Sequence, residues 1–333
     1  MALRAFDLPA DIPLLVDLIP PCFQYPENEE WNIQQDEVEN MIDSLNGARR
    51  MWPLIRLVML LSPPMRDMLR GYVWEEDGHT VGLTNVIRMG NTDQWLIGNV
   101  GVLPDYRRRG IARKLVDASV AFARERGAQS IVLDVIDGNV PAYNLYLKLG
   151  FEHYSGQTQL VYDAGAADAP LPDVALPDGY TIEPYPLFDW RPRFELAKRI
   201  TPEVDQRYTP VEEGRFRQPP IVRVLLPFID RAMGARNQVY VLRRTPSGEP
   251  VGFVRGFFRV RAGGVNTTNI TLDPAHAEAA PYVVNFVLRD FQKRSPGRRI
   301  ESVMRQWQAP VIDTMLAAGF TRVADMHTMG MII

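Results

Sequence analysis

Trp95-Leu-Ile-Gly-Asn-Val-Gly-Val-Leu-Pro-Asp-Tyr-Arg-Arg-Arg-Gly-Ile-Ala112 carries an apolar strand into a proline, a basic loop and the first residues of a helix. Trp95 to Leu103 reads as the strand, closed by Pro104. Beyond it the period becomes helical. Ile111/Ala112, Leu115/Val116, Ser119/Val120 and Phe122/Ala123 recur every three to four residues until Gly127 ends the run, and Arg113, Lys114, Asp117 and Arg124 take the wet face. A loop bearing three arginines and a glycine at a helix start is a trap for anions. The first N–H groups of the helix have no partner within it, the helix dipole favours negative charge, and Gly110 allows close approach of the main chain.

Upstream, Tyr72 to Trp74 and Thr80 to Arg88 flank Asp77-Gly78, which predicts a hairpin, and Asn91-Thr92-Asp93 forms the next turn. Downstream, Ile131-Val-Leu-Asp-Val-Ile136 is a short buried strand. Asp137-Gly138 then leads to a helix with Asn139 as its cap, Pro141 in its first turn and Gly150 at its end. Strand, helix, strand in this order is a βαβ crossover, so 95–103 and 131–136 run parallel. The expectation is an α/β domain with a mixed sheet.

This pattern occurs twice. Pro53-Leu-Ile-Arg-Leu-Val matches Pro220-Ile-Val-Arg-Val-Leu, and Gly78-His-Thr-Val-Gly-Leu matches Gly248-Glu-Pro-Val-Gly-Phe. Val100-Gly-Val-Leu-Pro104 matches Ile270-Thr-Leu-Asp-Pro274, and Leu149-Gly-Phe151 matches Ala318-Gly-Phe320. A looser mixture of acid, aromatic and proline opens each half, near 6–13 and 183–192. A common order and a nearly constant spacing of about 170 residues mean two copies of one domain. The expected domains are 1–165 and 180–333, joined by a linker at 166–179 that is small, proline-rich and aperiodic.

Of the 333 residues, 46% are hydrophobic and 23% charged, with a formal net charge of −3, the balance of a folded chain without a global basic field. Neither nucleic acid nor membrane is the expected partner, and the expected state is a monomer or homodimer. Cys22 is the only cysteine and the four histidines are scattered, so neither an internal disulfide nor a metal site is expected. Acid and proline interrupt the N-terminus before an apolar run forms, so no secretory signal is read and a cytoplasmic location is expected. The longest apolar stretch, Met51 to Leu61, includes Arg56, is too short to span a bilayer and reads as a buried helix.

Arg107-Arg-Arg-Gly-Ile-Ala112, with its lead-in Val100-Gly-Val-Leu-Pro-Asp-Tyr106, resembles the coenzyme motif of the GNAT superfamily of acyl-CoA-dependent N-acyltransferases. A second family motif is present as Asn139, Ala142, Leu145-Tyr146, Lys148 and Gly150-Phe151. The resemblance is clear from about Tyr72 to Asp163. It implies two tandem GNAT-like domains, each a mixed, mostly antiparallel central sheet flanked by helices, with the parallel crossover at the coenzyme site. It further implies that acetyl-CoA is the co-substrate, its pyrophosphate held by Arg107, Arg108, Arg109, Gly110, Ile111 and Ala112. The pantetheine would lie along Val100, Gly101 and Val102, with Asn139 facing the coenzyme, a role compatible with simple helix capping. Tyr146 takes the family position of the general acid, with Tyr143 one turn earlier as the competing candidate. A phenol with a pKa of about 10 is protonated at neutral pH and so can donate.

The implied reaction is direct attack of an amine on the thioester, without an acyl-enzyme. No acid lies on Trp95 to Leu103. Asp93, Asp134, Glu75 and Glu76 are the nearby candidates for the base, with a water relay or an already neutral amine as the favoured alternatives. Phe23, Tyr25, Trp31 and Trp52, with Glu27, Glu29, Glu30, Asp36 and Glu37, would form an acidic aromatic mouth for a cationic amine. A non-catalytic acyl-CoA sensor is the rival reading, and a thiol acceptor, as in tandem mycothiol synthases, a third. In the second copy Ala277, Glu278, Ala279 and Ala280 stand where the loop should be, Gln308 replaces Asn139 and Met315 replaces Tyr146. That copy is expected to be degenerate and to support the first or shape its substrate cleft.

Overall fold

The structure, a computed structural model, describes residues 2–25, 29–32, 35–61, 66–67, 70–163, 171–232, 234–260 and 265–333. Glu27 and the linker residues 164–170 lie outside the described residues, as do the side chains of Glu30, Asp36 and Glu37. In chain order the first repeat comprises β1 (Ala2–Ala5), α1 (Ile12–Cys22), α2 (Gln35–Arg50), α3 (Trp52–Leu61), β2 (Arg70–Glu76), β3 (His79–Arg88), β4 (Gln94–Val102), α4 (Ile111–Glu125), β5 (Ser130–Ile136), α5 (Val140–Lys148) and β6 (Glu152–Tyr162). The second comprises β7 (Tyr180–Tyr185), α6 (Arg191–Ile200), α7 (Glu203–Tyr208), α8 (Glu213–Phe216), α9 (Pro220–Ala232), β8 (Ala235–Arg244), β9 (Glu249–Arg259), β10 (Asn266–Leu272), α10 (Ala280–Arg294), β11 (Ile300–Arg305), α11 (Ala309–Ala317) and β12 (Thr321–Ile332). The series from β2 to α5 thus recurs as β8 to α11, element for element.

The chain forms two compact units whose boundaries do not follow the two halves of the sequence. One holds Met1–Tyr154, Val204–Val222 and His327–Ile333; the other holds Ser155–Glu203 and Arg223–Met326. The difference from a cut within 166–179 has a clear cause: the repeats exchange their last strands. In the first unit the strand order is β1-β2-β3-β4-β5, completed by residues 327–332 of β12. In the second, β6 pairs antiparallel with β11, from Gln157↔Arg305 to Tyr162↔Ile300, and β10, β9, β8 and β7 follow.

Within the first unit, Asp77 and Gly78 both have positive φ, 51° and 80°, which closes the β2–β3 hairpin with the turn its sequence asks for. The apolar stripe of α4 covers the sheet, where Trp95, Leu133, Val116 and Phe151 share one core with Tyr146, Met329 and Met331. Each aliphatic or phenylalanine side chain buried this way contributes roughly 1.5–3 kcal/mol. The inserted segment 204–222 packs at the start of β4. There the Gln94 amide donates to Pro210 O (2.8 Å) and to Glu212 Oε1 (3.0 Å), and Gly214 lies so close to Asn91 that an added Cβ would stand 2.0 Å from its carbonyl oxygen.

The stretch Met51 to Leu61 is helical, as α3, but it is not the buried helix its composition indicates. Only Val58 is buried, and Leu60 and Leu61 are 67% and 59% exposed. Ten residues with Arg56 among them offer a single apolar face, and apolar content alone does not tell which faces find a partner. Among the described residues no helix is long and apolar enough to cross a membrane.

Candidate active site

The basic loop is arranged around its main chain. Arg108 and Gly110 both have left-handed conformations, φ 64° and 77°, and α4 starts directly after Gly110 with no side-chain cap. Among the described residues no N–H from Arg108 to Arg113 donates to a backbone or side-chain acceptor, so six successive amides are free to bind an anion. The three arginines have separate tasks. Arg107 turns inward: its guanidinium donates to the carbonyls of Val102 (3.2 Å), Cys22 (3.3 Å) and Gln24 (2.8 Å), and lies over the Tyr25 ring. Arg109 pairs with buried Glu76 at 3.1 Å and stacks on Tyr106. Only Arg108 is exposed with no side-chain partner among the described residues, which leaves it the unpaired cation of the loop.

The strand feeding this loop leaves its parallel neighbour early. β4 and β5 are in register only from Gln94↔Ser130 to Leu96↔Val132, although they continue to Val102 and Ile136. Past that point a bulge opposite Leu83–Asn85, with Asn99 at φ 50°, bends β4 while it stays paired with β3. The gap that opens leaves the β5-facing backbone of Val100, Gly101 and Val102 without a strand partner. Gly101 packs so tightly on Cys22 that a Cβ would stand 2.8 Å from the cysteine Cβ. Burial pushes the Cys22 thiol up to about 12, which removes it as a nucleophile at neutral pH.

Asn139 caps α5 by accepting from the Ala142 N–H at 3.2 Å. Tyr146, one residue type and one position the sequence singles out, is 5% exposed, and its hydroxyl has no hydrogen-bond partner among the described residues. Burial raises its pKa well above the ordinary phenol value, with the nearby Tyr25 phenol adding to the effect. Its competitor Tyr143 instead packs edge-on against the rings of His153 and His327. Tyr25 and Trp31 meet edge to face at 5.6 Å, and Trp31 lies against Gly138 in the β5–α5 turn, so two of the expected mouth aromatics do gather at this end of the sheet.

Three of the four candidate bases are neutralised. Asp93 pairs with Arg88 (2.6 Å), Glu75 with Arg4 (3.0 Å) and Glu76 with Arg109 (3.1 Å). Asp134 differs. It is exposed on β5, two residues beyond the last paired position, and its Oδ1 accepts from the neutral hydroxyl of Thr328 at 2.7 Å.

Residues 15–151 match the acetyltransferase (GNAT) family. This segment of the chain belongs to the GNAT family. It is 33% identical over 92 residues to streptothricin acetyltransferase of Streptomyces lavendulae, covering 28% of this chain and 48% of that protein. It is 32% identical over 137 residues to mycothiol acetyltransferase of Saccharomonospora viridis, covering 41% and 42%. The chain thus spans about half the length, or less, of the curated relatives it matches. A solved tandem GNAT protein from the clavulanic acid biosynthesis pathway shares the fold over 99% of this chain and 98% of its own, with a TM-score of 0.62 at 15% identity.

The second repeat has the same frame, but the features of the first site are closed. Pro274–Ala279 is a helical turn running into α10, and no residue from Asp273 to Arg294 has positive φ. β10 and β11 also part early, after Thr268↔Ser302, yet the gap is filled from within. The Gln308 amide accepts from the N–H of Leu272 (3.2 Å) and donates to the carbonyl of the same residue (2.9 Å). Leu272 corresponds to Val102 and Gln308 to Asn139. The position that lacks Asn139 thus carries a substitute contact within the repeat. His327 and Thr328, at the first site, escape sequence reading because each half is expected to keep its own last strand.

Proposed function

We propose that the chain is an N-acetyltransferase that transfers the acetyl group of acetyl-CoA directly to an amine, with the chemistry in the first unit. The observation that carries this reading is the run of six free N–H groups from Arg108 to Arg113 beside the gap between β4 and β5. A diphosphate fits the first and a narrow amide-bearing chain the second. Arg108, Gly110, Ile111 and Ala112 would hold the pyrophosphate, while Arg107 and Arg109 shape the loop. An N–H of Val100 to Val102 would polarise the thioester carbonyl, a contribution of roughly 3 kcal/mol for one such donor. The amine nitrogen attacks the carbonyl carbon, the C–S bond breaks, Tyr146 protonates the leaving sulfur, and Asp134 takes the proton the nitrogen gives up. Solvent then returns a proton from Asp134 to Tyr146. The absence of an arginine on Asp134 favours it over the other acids, because a carboxylate released from an ion pair must first break that pair.

The acceptor is an amine held at a mouth with Tyr25, Trp31, Asp134 and Asp137, which suits a cation. Calorimetry with acetyl-CoA tests the coenzyme half of the reading. Micromolar binding lost in an Arg108→Glu/Gly110→Asp variant supports it, and binding that survives the variant refutes it. Tyr146→Phe then separates enzyme from sensor in an assay of thiol release with streptothricin, spermidine, lysine and an alanine-initiated peptide as acceptors. Normal coenzyme binding with at least about a hundredfold loss of transfer supports Tyr146 as the acid; unchanged transfer excludes it.

A further inference from the structure

The exchanged end of the chain contributes more than a strand. Thr328 on β12 is 1% exposed, and its hydroxyl donates to Asp134 Oδ1 at 2.7 Å, while the aspartate itself is exposed. β-branching and burial restrict χ1 of Thr328, and the bond to Asp134 selects the direction of its hydroxyl. The bond takes one carboxylate oxygen and leaves Oδ2 without a partner among the described residues. The preceding residue holds a second carboxylate: His327 Nε2 lies 3.0 Å from Asp137 Oδ1, in the turn that follows β5. Among the described residues, His153 on β6, whose ring is 4.4 Å from that of His327, and Tyr143 on α5 also pack here.

We propose that Thr328 is a positioning residue for the first site, locking the Asp134 carboxylate so that Oδ2 meets the attacking amine, and that the first site is therefore completed by the last strand of the second repeat. This rests on the reading of Asp134 as the base. Two neighbouring residues of one strand each restrain one acid at the open end of the β4–β5 gap, and neither residue comes from the repeat that carries the coenzyme loop. The first repeat alone has an Asp134 that is free to rotate toward solvent, a loss of orientation that falls on the chemical step and not on coenzyme binding.

Thr328→Val, Thr328→Ser and Asp134→Asn in the full chain test this. Thr328→Val is expected to lower kcat about ten- to hundredfold, the loss of one hydrogen bond to a charged group, with the KM and calorimetric Kd for acetyl-CoA unchanged. Thr328→Ser restores kcat because it keeps the hydroxyl. The 13C signal of the Asp134 carboxyl, which needs no acceptor, is expected to move in Thr328→Val and to return in Thr328→Ser. A stationary signal, or full kcat in Thr328→Val while Asp134→Asn is inactive, overturns the role of Thr328 alone. Full activity of Asp134→Asn overturns the base assignment and the role of Thr328 with it.

Discussion

Two glycines at the opposite ends of α4 offer a direct measurement of what the coenzyme loop does. Gly110 precedes the helix at φ 77° and Gly127 follows it at φ 76°, and an added Cβ would meet nothing within 4 Å at either position. Alanine at each therefore incurs the same conformational cost. That cost is about 1–2 kcal/mol for an L residue in the left-handed region, offset by roughly 0.4–1 kcal/mol from a less flexible unfolded chain. A domain with an ordinary stability of about 5–15 kcal/mol stays folded at 25 °C after such a loss, so unfolding does not enter the measured Kd. Gly110 differs only in lying within the run of free amides, where its empty front would be the approach path for the proposed anion. A methyl there denies about one charge-assisted hydrogen bond, and acetyl-CoA should bind about ten- to hundredfold more weakly. Urea denaturation should show matching destabilisation for Gly110→Ala and Gly127→Ala, while calorimetry shows a weakened Kd for the first and a Kd within about twofold of wild type for the second. Unchanged affinity in Gly110→Ala, or equal losses in both variants, refutes the assignment of this loop.

Three further outcomes follow from the same geometry. Arg107→Ala removes a guanidinium that joins the end of β4 to the end of α1 through three carbonyls, and urea denaturation should show a loss of about 2 kcal/mol, with Arg107→Gln intermediate. Cys22, pushed up to about 12 by burial, has on the order of a ten-thousandth of its thiol ionised at pH 8, so iodoacetamide should label the native protein at least about a thousandfold more slowly than the urea-unfolded chain, with the rate still rising between pH 8 and pH 10. Gln308→Ala leaves the N–H and carbonyl of Leu272 without their partner and should lower the stability of the second unit by about 2–4 kcal/mol, while calorimetry with wild type gives one acetyl-CoA per chain; two per chain would contradict the closed second site.

Much of the first unit is legible in the sequence because local chemistry decides it. Asp77-Gly78 can hardly do anything but turn, Gly110 and Gly127 bracket the one stretch with a helical period, and Asn139 with Pro141 marks the next helix start; all four appear where residue chemistry puts them. The tasks of Arg107, Arg108 and Arg109 are not legible, because three identical side chains in a row differ only in what each can reach. Arg107 reaches the end of α1, Arg109 reaches Glu76, and neither contact has a local signature. The strand exchange is hidden for a related reason. β6 and β12 follow equivalent helices, and either could pair with either neighbour without changing a single local preference.

The pair Asn139 and Gln308 shows how one frame yields two sites of different fate. Both residues stand at the start of the helix that follows a parting pair of parallel strands, and both carry an amide. Asn139 is one methylene shorter and uses its carbonyl to cap its own helix, while the carbonyl of Val102 accepts from the Arg107 guanidinium at 3.2 Å. Gln308 has the extra reach, makes no cap bond, and bonds both backbone groups of Leu272. A buried strand edge without partners is costly, so its backbone groups must be satisfied from within or open to water. Gln308 supplies that satisfaction with a single side chain. The second repeat thus satisfies from within the backbone groups that the parting of β10 and β11 leaves without a strand partner.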